Sequence, residues 1–123
     1  MRRLVLTLAI VVLLAPFGEA AGSSNVSGLH GLVTLSPTRP VCPEEQTCSK
    51  PAVGVLLLFR RDDHVVARVT TRANGAYRVL LRPRTYTVVA PAYRVGTGVS
   101  PRVVRVPDGR VARIDLEIDT GIQ

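Results

Sequence analysis

The sequence predicts an all-β fold, a seven-stranded β-sandwich behind a cleaved export segment. Three observations carry this. Apolar and polar residues alternate with period two from residue 28 almost to the C-terminus. Turn-forming residues recur roughly every ten positions. No stretch shows the three-to-four-residue spacing of an amphipathic helix. Short strands between regular turn signals are the pattern of a sandwich.

The export segment comes first. MRR supplies a positive start, and residues 4–15 (LVLTLAIVVLLA) are a twelve-residue apolar run without a charge. Pro16 ends the run, and FGEAAG offers small residues for cleavage after Ala20. As a helix such a run is about 18 Å long, short of the roughly 30 Å hydrocarbon core. A signal peptide over residues 1–20 is therefore favoured over a retained membrane anchor, and no cysteine follows the run to suggest a lipid-modified one. The expected location is secreted or extracytoplasmic, the periplasm or cell surface in a bacterium. Residues 21–27 read as a flexible leader, carrying an Asn25 glycosylation sequon, and residues 28–123 as one domain.

Within the domain, GLHGLVTL (28–35) is the first strand. Residues 36–52 hold four prolines and both cysteines, so they cannot join a sheet ladder continuously. VGVLLLFR (53–60) is apolar on both faces, as a central strand is, and RDD makes a polar turn. HVVARVTT (64–71) and AYRVLLR (76–82) flank Ala73-Asn74-Gly75. A two-residue turn there would send the apolar sets of the two runs to opposite faces. A three-residue loop with Gly75 in the left-handed conformation pairs Val69 with Val79 and Ala67 with Leu81, and it faces Val65, Ala67 and Val69 inward with Tyr77, Val79 and Leu81. Pro83 turns the chain into YTVVAP (86–91), with Tyr86, Val88 and Ala90 inward. A glycine-bearing excursion leads to RVVRV (102–106), and PDG turns at Gly109. The last strand, VARIDLEID (111–119), sets Ala112, Ile114, Leu116 and Ile118 against Arg113, Asp115, Glu117 and Asp119.

Residues 21–123 keep thirteen arginines, one lysine and eight acids, a net of +6. That balance favours an anionic partner, while so little lysine beside so much arginine also fits a GC-rich coding bias. Arg68, Arg78 and Arg82 share the outward set of the expected hairpin, with Arg60 and Arg84 near strand ends, so these five form a candidate anion-binding face. No nucleic-acid partner is expected, because nucleic-acid-binding modules of this size normally add aromatic stacking platforms. Here Phe59, Tyr77 and Tyr86 belong to the core or strand faces, which leaves Tyr93 alone.

Cys42 and Cys48 are an even count in an exported domain and are expected to pair. Closing so short a loop contributes about 2 kcal/mol on the chain-entropy model. The spacing is not C-x-x-C and no histidine is near, which argues against redox or zinc chemistry.

Pro51, Gly54 and Val55, then Thr71, Gly75 and Tyr77, then Leu81, Pro83 and Tyr86 resemble the recurring pattern of carboxypeptidase regulatory-like domains. That pattern runs Pro-x-x-Gly-Val, Thr-x-x-x-Gly-x-Tyr/Phe, Leu-x-Pro-Gly-x-Tyr. Arg84 departs from it, standing where the family usually has glycine. The resemblance spans nearly all of the exported chain. It implies a transthyretin-like (prealbumin-like) seven-stranded Greek-key sandwich and an accessory, non-enzymatic module, structural or binding protein or carbohydrate. Turn and core residues carry it, so it bears on fold far more than on activity.

No catalytic residue, cofactor or metal is expected. The triplet Asp119-Thr120-Gly121 has no following strand to present its carboxylate. His30 and His64 have no nucleophile and orienting acid placed beside them. Hydroxyisourate hydrolases share the topology that the resemblance implies, but their terminal Tyr-Arg-Gly-Ser signature is missing here. Neither Glu44–Glu45 nor Asp62–Asp63 has the loop spacing to gather the six or more oxygens calcium needs. Two expectations remain: a secreted module with a structural or binding role, or an electrostatic binder of an anionic envelope polymer or membrane surface through its arginines.

Overall fold

The alternating stretches fold as strands because each places every second side chain on a shared interior. The computed structural model describes residues 26–43, 48–94 and 98–122. The expected signal peptide, residues 21–25 of the leader and Glu44–Glu45 lie outside them. Among the described residues there is no helix. The strands in chain order are β1 (Gly28–Ser36), β2 (Lys50–Pro51), β3 (Leu56–Arg61), β4 (His64–Thr70), β5 (Ala76–Leu80), β6 (Thr85–Val89), β7 (Val99–Ser100), β8 (Val103–Arg105), β9 (Val111–Arg113) and β10 (Leu116–Asp119).

They form two sheets. In the first, β1 is central. It pairs antiparallel with β5 and β2, and parallel with β9 and β10; β7 lies beyond β10. The second runs β4-β3-β6-β8, all antiparallel. Leu29, Val33, Tyr77, Leu116 and Ile118 of the first sheet meet Leu57, Phe59, Tyr86, Val88 and Val104 of the second in one buried cluster. The Phe59 and Tyr77 rings stack across the interior with centroids 6.2 Å apart, a contact that adds to their area burial. The architecture is all-β, two sheets sandwiching a single core.

Each of the seven expected stretches contains a strand. The ten segments arise from short β2 and β7, and from a break in the last strand. That break does not change register: Gly28 faces Val111 before it, and Val33 faces Leu116 after it. Hence Leu116 and Ile118 are buried, and Ala112 and Ile114 pack against the same core.

The expected pairing of Val69 with Val79 and Ala67 with Leu81 does not occur. Val69 pairs with Leu57 and Ala67 with Phe59, whereas Val79 pairs with Leu29. The chain therefore crosses from one sheet to the other at Ala73-Asn74-Gly75. Ala67 and Val69 still face inward, as do Tyr77, Val79 and Leu81, but the two groups reach the core from opposite sides. The corner is held by its own bonds. Gly75 N–H donates to Arg72 O at 2.9 Å, and Ala76 N–H to the Asn74 side chain at 3.0 Å. Gly75 has the expected left-handed conformation, φ +84°, and a Cβ there would lie 2.7 Å from the Val33 carbonyl oxygen.

Val65 is the second correction. The register of β3 with β4 shifts between Phe59 and Arg60, so Val65 stands opposite Arg60 on the outer face instead of facing inward. An extra residue in one strand does this by bending the pleat. The β3–β4 turn puts Asp62 and Asp63 both at positive φ, 50° and 68°, the primed geometry that matches strand twist in a two-residue hairpin. Cys42 and Cys48 are bonded as expected, with Cα atoms 5.8 Å apart. Beyond Cys48 the chain returns to β1 through Lys50, opposite Leu35.

Candidate binding face

Because β4 and β5 lie in different sheets, the five arginines expected to form one anion-binding face separate. Arg60 and Arg68 stand on the outer face of the second sheet, Arg68 opposite Leu58. Arg78 is on the first sheet, opposite His30, and is no part of that surface. Arg82 and Arg84 follow β5 and meet Arg61 at one open end of the sandwich, around a hollow also lined by Val66 and Leu80. Turn chemistry at that end works as the sequence suggests: Pro83 is exposed, and the Tyr86 hydroxyl donates back to Arg82 O at 2.7 Å. Gly109 turns the chain at φ +74°.

On the first sheet, His30 sits between Arg78 and Arg113 in register. Asp115 offsets the charge there, with a carboxylate oxygen 3.2 Å from Arg113 Nε. A backbone bond from Leu32 and the Arg113 guanidinium hold the Asp115 carboxyl below its usual 3.8. His64 is exposed at the start of β4, in the other sheet from His30. Among the described residues, no three of His, Cys, Asp and Glu gather where a metal ion could be held.

The second sheet's outer face differs. Leu58 of β3 lies between Arg68 of β4 and Val89 of β6, and the next row is Val65, Arg60, Thr87 and Val103. Residues 90–94 and 98–102 rise beside this floor as the chain leaves β6 for β7 and comes back to β8. Tyr93 N–H closes the first turn on Ala90 O at 2.9 Å, and Arg94 Nε reaches Pro91 O at 3.3 Å. Val88 N–H donates to Arg102 O at 2.8 Å and fixes the return. Floor and wall enclose a groove of about 600 Å³, lined by Leu58, Val65, Val89 and Tyr93 with Arg60, Arg94 and Arg102. Its described lining contains no carboxylate.

Comparison of the chain with protein families, with curated proteins and with solved structures finds no match. Function therefore rests on geometry. Arg60 also borders the adjoining hollow with Arg61, Asp62 and Arg84. Asp62 lies 3.8 Å from Arg61, yet the arginines outnumber it, so a net-basic surface runs on from the groove to the open end. The ion pair of Arg60 with Asp63, 3.7 Å long and beside a carboxylate 98% exposed, does little to neutralise it. Sequence reasoning missed Arg94 and Arg102. They bracket the glycine-bearing excursion, and a basic residue at each end of a long loop is the one signal that marks them.

Proposed function

We propose that the protein is a secreted, non-enzymatic binding module of the carboxypeptidase regulatory-like, transthyretin-like kind, with seven principal strands in Greek-key order, and that it binds through the outer face of its four-stranded sheet. The observation that carries this is the groove, whose apolar floor and arginine rim stand where a sheet facing only water would be polar. The resemblance is supported by what its residues do. The Thr71 hydroxyl donates to Ala52 O and accepts the Val55 N–H at 2.9 Å, tying the Pro51–Val55 stretch to the corner. Export is supported by the Cys42–Cys48 bridge, since such bonds persist in oxidising compartments.

Expression in a secreting host tests export: the purified chain should begin at or next to Ala21. Capture from an envelope fraction tests binding, the native protein retaining a partner that an Arg60→Gln/Arg102→Gln variant loses. A catalytic turnover abolished by replacing His30 or His64 would overturn the reading.

A second reading is favoured by Arg61, Arg82 and Arg84 at the open end: electrostatic capture of an anionic envelope polymer or membrane surface. Retention on an immobilised polyanion should then fall steeply with salt. Absence of retention at every ionic strength would remove it.

A further inference from the structure

An antiparallel sheet with one face on a core normally presents polar side chains on the other. Here Leu58 and Val89 sit side by side on the outer face, with Val65 one row along opposite Arg60, and Leu56 and Val103 flank them at 38% and 57% exposure. The apolar patch coincides with the stretch of this sheet that residues 90–94 and 98–102 border. The bulge that turns Val65 outward and the 90–94 turn that brings in Tyr93 both enlarge it. A volume of about 600 Å³ falls in the range of small-ligand sites.

Charge narrows the ligand. Arg60, Arg94 and Arg102 line the groove without an acid among its described residues, and Arg94 and Arg102 take part in no ion pair there. A neutral apolar molecule would leave the guanidinium groups unused, and a cation would be repelled. We propose that the groove binds a small amphiphilic organic anion: an aliphatic or aromatic body lying on Leu58, Val65, Val89 and Tyr93, with a single carboxylate head among Arg60, Arg94 and Arg102. The inference rests on the binding-module reading above and specifies its ligand class.

Titration calorimetry of the exported chain with decanoate, decanol and decylamine tests it. Decanoate should bind at one saturable site, and decanol and decylamine should bind at least about tenfold more weakly, the scale of one charge-assisted hydrogen bond. Arg60→Gln/Arg102→Gln should lose that preference, and Val89→Glu, which places an acid on the floor, should abolish binding. Arg78→Gln on the opposite sheet should change nothing. Equal binding of the three probes, an equal loss in Arg78→Gln, or no saturation by decanoate to about 1 mM would overturn the proposal. Failure here alongside retained envelope capture removes the small-anion ligand alone; failure of both removes the binding-module reading.

Discussion

The Asp115 carboxylate accepts the backbone N–H of Leu32 at 2.9 Å, in the place of a main-chain carbonyl. Ile114 N–H already donates to His30 O at 2.8 Å, and a parallel ladder continued from there would offer Leu32 the Ile114 carbonyl. That carbonyl instead accepts the Tyr77 hydroxyl at 2.6 Å. One side chain removes an acceptor from the ladder and another replaces it, so β9 and β10 separate without a slip of register.

Asp115→Ala should therefore lower stability by about 1 kcal/mol, the net worth of one such bond, with Asp115→Asn intermediate. The carboxyl is held below its usual 3.8 by the Leu32 bond and by Arg113. Its contribution is complete above that usual value and fades as pH falls through the lowered one. Urea midpoints should separate the native protein from Asp115→Asn at pH 7 and converge in strong acid.

Thr71 is 4% exposed, and its hydroxyl bridges Ala52 and Val55. Thr71→Val keeps the shape and deletes both bonds, leaving a buried N–H and a buried carbonyl unmatched. A loss of about 2–3 kcal/mol is expected. Thr71→Ser should retain most of the stability, and denaturant midpoints of the two variants decide it. A Val variant as stable as native would mean that the corner is held by packing alone.

The sequence made the inward sets legible because alternation reports burial directly. Tyr77, Val79 and Leu81 are buried, as are Tyr86, Val88 and Ala90. Alternation does not report which strand lies alongside. Facing two apolar sets inward is achieved equally by neighbours in one sheet and by strands opposed across a core, so the Val69–Val79 pairing followed from a criterion both arrangements meet. The same ambiguity put Arg78 on the wrong surface. The groove was less legible still. It depends on the bulge that turns Val65 outward and on residues 90–94 folding over β6, neither of which leaves a periodic trace.

Gly75 and Gly109 should separate two effects of adding a methyl group. Both have positive φ, 84° and 74°, so alanine at either position is strained by about 1 kcal/mol. At Gly109 nothing lies within 4 Å of the added carbon, whereas at Gly75 it lies 2.7 Å from Val33 O. That oxygen also accepts the Ala52 N–H, so it cannot retreat without breaking a bond. Gly109→Ala should cost about 1 kcal/mol, and Gly75→Ala clearly more. Thermal melts of the two variants measure the gap, and equal shifts would show that the corner relaxes freely.

Tyr77 joins the Ile114 carbonyl to the interior, and it is 2% exposed. Burial, with the Asp115 charge adding to it, pushes its phenol well above the usual 10.0. A raised value favours the neutral form in the folded state. The stability it provides is therefore intact below the usual value and lost as pH climbs through the raised one. Tyr77→Phe should lower stability by about 1 kcal/mol at neutral pH and lessen its decline in alkali. An ultraviolet titration of the native protein should show a phenol that ionises only as the fold opens, a step missing from the variant. The phenylalanine variant also frees the Ile114 carbonyl to turn back toward Leu32, so the Asp115 bond becomes replaceable. Asp115→Ala should then do less harm in the Tyr77→Phe background than alone, a coupling that a double-mutant cycle reads directly. Strict additivity would mean that the two substitutions in the ladder are independent.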